Sequence, residues 1–243
     1  MKHELGLVSV SFREHTPAEI LTAMQSAGLT CIEWGSDVHC PPEKAAEIAA
    51  LQKEYGITCC SYGTYFKIGT TPMEELQSYL DAARTLGTTV IRLWCGSKNS
   101  EDYREGEKEQ LFSLCRQAAA TAEKSGVTLC MECHNNTYTN RKEAALELME
   151  AVNSPAFRMY WQPNQYRTQE ENLAYAKLLA PYTTHIHVFH WQGKEKYPLQ
   201  DATDIWRAYL AFFKDNTLLL EFMPDGKLET LETEAAALRE IVT

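Results

Sequence analysis

Apolar residues along this chain fall into two alternating patterns. AEILTAMQSA, KAAEIAALQKEY, MEELQSYLDAARTL and KEQLFSLCRQAAATAEKS space their apolar positions as a helix does. Each is followed by Gly-x-Thr and a short apolar run: GLTCIEW (28–34), GITCCSY (56–62), GTTVIRL (87–93) and GVTLCME (126–132). Glycine just past a helix supplies a left-handed C-terminal cap, and the β-branched residues after it open a strand. The second half keeps the alternation without the glycine. AALELMEAV precedes FRMYW, ENLAYAKLLA precedes THIHVF, IWRAYLAFF precedes TLLLEF, and LETEAAALREI comes last. With LGLVSVSF first, the pattern predicts eight strands alternating with eight helices. That is α/β, a single (β/α)8 TIM barrel spanning residues 1–243 as one domain.

Side chains alternate faces along a strand, so parity sorts them. In the fifth strand Leu129 and Met131 face the helices, while Cys130, Glu132 and His134 face the barrel axis. The same rule sends Glu33, Arg92, His185, His187 and Glu221 inward, with Ile32, Trp34, Ile91, Leu93, Ile186, Val188, Leu218, Leu220 and Phe222 outward. Five strands thus aim polar groups at the axis near their C-terminal ends, where barrel enzymes place their sites. An ionised carboxylate on the end of a core strand needs a partner, a proton or a metal. A structural ion pair of Arg92 with Glu33 or Glu132 would meet that need. So would convergence of Glu132, His187 and Glu221 on one divalent cation, which the agreement across strands favours. Two long segments, 95–109 and 189–200, follow the fourth and seventh strands and read equally as lids or as solvated loops.

Composition narrows the function class. A net charge of −10 argues against gripping a phosphate backbone. No apolar run approaches a membrane span and no signal-peptide pattern opens the chain, so the cytoplasm is expected, with neither nucleic acid nor membrane as partner. The eight cysteines form no CxxC pair and sit mostly in apolar runs, which reads as reduced and buried.

The segments CIEWGSDVHCPP, CSYGTYFKIG, VIRLWCG, LCMECHNNTYT, YWQPNQ, HIHVFHW and LLLEFM resemble the strand-end motifs of the sugar phosphate isomerase/epimerase superfamily, the xylose-isomerase-like TIM barrels. The resemblance implies a metal held by a Glu, an Asp, a His and a Glu on strands five to eight. Glu132, His187 and Glu221 match; the Asp position is Gln162, and a histidine often found three residues later is Gln165. An amide oxygen still suits a hard cation, so Mn²⁺ or Mg²⁺ is expected, with Co²⁺ or Zn²⁺ as alternatives. The implied activity is isomerisation or epimerisation of a small polyhydroxy carbonyl compound through an enediolate. Glu132 and Glu221 would take and return the proton, while Glu33, His39, Arg92, His134, Gln165, His185 and His190 bind substrate. Trp34, Tyr65, Trp94 and Trp191 are candidate walls for a sugar ring. An inosose-type dehydratase on the same site, a non-catalytic sugar-binding relic and a nuclease are the rival readings. The resemblance also allows a homo-oligomer.

Overall fold

The computed structural model describes residues 3–243. Eight parallel strands close into a barrel: β1 (Leu5–Val8), β2 (Cys31–Gly35), β3 (Thr58–Ile68), β4 (Val90–Cys95), β5 (Thr128–Glu132), β6 (Phe157–Trp161), β7 (Thr183–Val188) and β8 (Thr217–Leu220). Around them run α1 (Pro17–Ser26), α2 (Ala45–Glu54), α3 (Leu76–Leu86), α4 (Glu105–Lys124), α5 (Lys142–Val152), α6 (Gln169–Leu179), α7 (Thr203–Leu210) and α8 (Leu231–Val242). The alternation expected from the sequence is therefore present, and β1 pairs with β8 to close the ring.

The Gly-x-Thr repeat works as a helix stop. Gly28, Gly56, Gly87 and Gly126 all have φ between 65° and 84°, the left-handed region where a Cβ is penalised. After α5 the same turn is made by Asn153 (φ 43°), the non-glycine residue that tolerates it best. Two helix starts are fixed by reciprocal side-chain caps, Thr16 with Glu19 on α1 and Thr168 with Glu171 on α6.

Parity is obeyed along the strands. Ile32, Ile91, Leu93, Leu129, Met131, Ile186, Val188, Leu218 and Leu220 belong to the large core between sheet and helices. Val8, Cys31, Cys130, Tyr160 and Leu219 form a separate small core inside the barrel. Trp34 lies outside with the helices, fully buried, its Nε1 donating to Gln52 Oε1 at 2.8 Å. Trp34 is core packing, not the sugar wall that the sequence suggests.

Two strand lengths differ from expectation. The first strand stops at Val8 and the chain turns through a short 3₁₀ segment, Ser9–Phe12. That turn lets Ser9 Oγ accept from the Gly35 N–H and Ser11 Oγ from the Phe222 N–H. By contrast β3 continues to Ile68, past the apolar run, and lifts Tyr65 to the rim.

The two long segments are structured. Residues 95–109 are pinned to the β5–α5 connection, where Asn140 Oδ1 accepts from the Ser100 N–H and Asn99 Oδ1 from the Asn136 N–H. Residues 189–200 hold a hairpin, Trp191–Gln192 against Glu195–Lys196. All eight cysteines are free. Among the described residues no helix is long and apolar enough to cross a membrane.

Candidate metal centre and active site

The C-terminal mouth gathers side chains from four consecutive strands. Glu132 ends β5, Gln162 follows β6, His187 is on β7 and Glu221 follows β8. His187 Nδ1 lies 3.5 Å from Glu132 Oε1, 3.5 Å from Glu221 Oε2 and 3.0 Å from Gln162 Oε1. One donor atom each from Glu132, His187 and Glu221 lies within 4.8 Å of the others. The Gln162 amide is oriented by its own Nε2, which donates to Cys133 O at 3.2 Å and leaves Oε1 toward the imidazole. Trp94 Nε1 donates to Glu132 Oε2 at 2.5 Å, fixing that carboxylate from the side.

A buried ion pair supports this group from below. Arg92 Nε donates to Glu33 Oε1 at 3.3 Å, and its Nη1 lies 3.5 Å from Glu132 Oε2 and donates to Thr64 O at 3.0 Å. The pair fits only because residue 63 is glycine. A Cβ there would stand 2.4 Å from Glu33 Oε1 and 2.9 Å from Arg92 Nη2.

The cluster carries more negative than positive charge. Glu33, Glu132 and Glu221 against Arg92 leave a net charge of minus two when His187 is neutral. Without a cation, protons fill that deficit. Burial depresses the His187 imidazole, but Glu221 and Glu33 outweigh it and bring its pKa to about 10. Burial, reinforced by Glu132 and opposed by His187, lifts Glu221 to about 7. Burial also works against ionised Glu132, yet Arg92 and His187 hold it at about 2. Glu33, despite complete burial, is kept well below the usual carboxylate range by Arg92. One divalent cation with a neutral imidazole would balance the same charges. Two carboxylate oxygens, an amide oxygen and one nitrogen are a donor set suited to Mn²⁺ or Mg²⁺. On charge and on donor chemistry the residues fit a metal.

Above this floor opens a cavity of about 430 Å³, walled by Tyr65, Trp94, Trp191 and Phe222 and bounded by Arg92, His134 and Gln165. Of the residues expected to bind substrate, the last three therefore border it. The other four do not. Glu33 is fully buried beneath the floor. His185 is buried, with Nε2 3.1 Å from Cys60 O and its ring 5.3 Å from that of Tyr160. His39 is buried between Ser9 Oγ (3.1 Å) and His15 O (3.2 Å). His190 sits against Pro198 O (3.1 Å) and lines a neighbouring cleft of about 530 Å³ instead. The Gly193 N–H donating to Gln165 O at 2.9 Å ties together the two loops that border both spaces.

Phe222 was expected to face the helices but borders the cavity. Its φ of 54°, unusual for a bulky residue, breaks strand alternation directly after Glu221. Tyr160, which sequence reasoning did not select, is fully buried with its ring centroid 4.5 Å from that of His187. Asn135 and Asn164 were also missed; Asn164 Nδ2 donates to Asn135 Oδ1 at 2.8 Å across the rim. The amides of HNN and QPNQ were the available sequence signal.

No curated protein matches this chain by sequence. Solved structures share its fold at low identity. One is the probable 3-DHS dehydratase AsbF from Bacillus anthracis, involved in petrobactin synthesis: TM-score 0.81, 17% identity, 98% of this chain and 99% of that one. Another is a D-allulose 3-epimerase from Methylomonas sp. in complex with D-allulose: 0.75, 14%, 98% and 96%. A third is a xylose isomerase-like TIM barrel protein from Mycobacterium smegmatis in complex with magnesium: 0.74, 12%, 99% and 98%. The family model described as xylose isomerase-like TIM barrel matches residues 21–216. The chain belongs to the xylose isomerase-like TIM barrel family.

Proposed function

We propose that this protein is a divalent-metal-dependent isomerase or epimerase acting on a small polyhydroxy carbonyl compound, a sugar or sugar phosphate. The observation that carries the reading is the convergence of Glu132, His187 and Glu221 at the floor of an aromatic-walled cavity. Glu132, Gln162, His187 and Glu221 would hold the cation. When bound, it would polarise the substrate carbonyl and stabilise the negative charge that develops on its oxygen.

The chain's own residues do the rest. Glu132 and Glu221 enter the cavity from strands three places apart around the ring, so they flank a bound carbon from different sides. One removes the proton alpha to the carbonyl and the other returns it. Arg92 and Trp94 hold Glu132 in place from below and beside it. His134, exposed at the rim with its ring centroid 5.6 Å from that of Trp94, presents a nitrogen to substrate hydroxyls. The aromatic walls cover the apolar face of a sugar ring and restrict water.

Dehydration of a cyclic hydroxy ketone begins with the same proton abstraction, and the structural likeness to a probable dehydratase makes it the second reading. One assay decides. The Mn²⁺-loaded protein is incubated in ²H₂O with ketoses and cyclic hydroxy ketones. Exchange of the alpha hydrogen without loss of water supports the isomerase or epimerase, and loss of water supports the lyase. No exchange with any of them counts against both.

Gln162→Asp adds a carboxylate to the donor set, so Mn²⁺ affinity should rise about tenfold or more by calorimetry. Cation binding should also expel protons. His187 at about 10 is protonated near neutrality and must lose its proton to ligate. Glu221, at about 7, gives up a further half proton, so about one and a half protons should appear per cation bound near pH 7, read from calorimetry in buffers of different ionisation enthalpy. Both His187 and Glu221 are raised in the folded state, so each binds more protons folded than unfolded. Their contribution to the stability of the metal-free protein is full at low pH. It falls as pH rises through about 7 and then about 10.

A further inference from the structure

His187 and Glu33 are both fully buried, and they reach toward each other from β7 and β2. His187 Nε2 lies 3.5 Å from Glu33 Oε1. Among the described residues neither His187 Nε2 nor Glu33 Oε2 has a hydrogen-bond partner. The opposite ring nitrogen, Nδ1, faces Glu132, Gln162 and Glu221. The Tyr160 ring packs against the imidazole, and Arg92 with the space left by Gly63 holds the Glu33 carboxylate where it is.

A buried N–H must find an acceptor, and Glu33 is the acceptor available to Nε2. We propose that Glu33 is the positioning residue of His187: it takes the Nε2–H hydrogen bond, fixes the ring orientation, and leaves the Nδ1 lone pair as the donor toward the cation site. The inference rests on the cation site proposed above. Glu33 touches neither cavity nor cation, so its effect passes entirely through the imidazole. A carboxylate behind a ligating histidine raises the basicity of the ligand, and removing such a partner lowers metal affinity by about 10- to 100-fold.

The test uses the full chain labelled with ¹⁵N-histidine, without metal and titrated with diamagnetic Zn²⁺ or Mg²⁺. Long-range proton–nitrogen spectra report the protonation of each ring nitrogen of His187, assigned by comparison with His187→Gln. In the wild type Nε2 should carry an exchange-protected proton with and without cation, and Nδ1 should lose its proton and shift when the cation is added. Glu33→Ala should lose the protected proton. Glu33→Gln, which keeps shape and an acceptor oxygen, should retain the Nε2 proton yet weaken cation affinity about 10- to 100-fold. Coordination through Nε2 overturns the proposal, as does an unchanged Nε2 proton in Glu33→Ala or unchanged affinity in Glu33→Gln. If wild-type His187 shows no shift with either cation, the metal reading fails instead. The protected proton in the metal-free wild type and Glu33→Ala then still decides whether the two side chains are bonded.

Discussion

Glu221→Gln should abolish measurable proton exchange while leaving the metal-free protein at least as stable as the wild type. A positioned acid or base contributes about 10²- to 10⁴-fold to such reactions, so a loss of about 10³-fold in turnover is expected. The stability side follows from the cluster itself. Glu221 is raised to about 7 because it is buried and faces the like charge of Glu132. A neutral amide of the same shape removes that repulsion and keeps an oxygen for the cation. Lost turnover together with an unchanged or higher melting temperature would separate chemistry from folding. A variant that unfolds, or one that keeps full turnover, would contradict the assignment.

Arg92→Met should have the largest effect on folding. Its guanidinium is the sole Lys or Arg partner of Glu33 among the described residues, and it also neutralises Glu132. Removing one member of a buried ion pair costs about 3–5 kcal/mol because the other charge is left uncompensated. In a chain of this size that lowers the melting temperature by about 10 °C. The deficit should grow with pH. Arg92 holds Glu33 far below the usual carboxylate range, so in the wild type that carboxylate's stabilisation is present above its unfolded value and lost in acid. In the variant the orphaned carboxylate rises instead, and the protein is least stable where that group must ionise. Thermal melts from pH 5 to 8, about the span between ordinary carboxylates and neutrality, check both the size and the slope.

The barrel was legible because two local signals agreed. Helix stops at Gly28, Gly56, Gly87 and Gly126 set the repeat, and strand parity separated Leu129 and Met131 from Cys130 and Glu132. The convergence of Glu132, His187 and Glu221 followed from parity plus position at strand ends. Depth was not legible. A period of two tells which face a side chain takes, but not how far along the axis it sits. Glu33 and His185 therefore read as equals of Glu132 while lying beneath the floor. His39 was misplaced because its partners, Ser9 and His15, depend on the turn after β1 that replaces an expected strand. Phe222 escaped because a left-handed residue that is not glycine leaves no mark in the sequence.

Every step proposed for this protein needs a cation held by Glu132, Gln162, His187 and Glu221. The most direct measurement is a crystal structure of the protein with Mn²⁺, read at the manganese anomalous edge. A single strong peak is predicted among Glu132 and Glu221 carboxylate oxygens, Gln162 Oε1 and His187 Nδ1, at roughly 2.0–2.4 Å from each. No peak at that position in saturating Mn²⁺, or a peak that leaves His187 or either carboxylate uncoordinated, would contradict it.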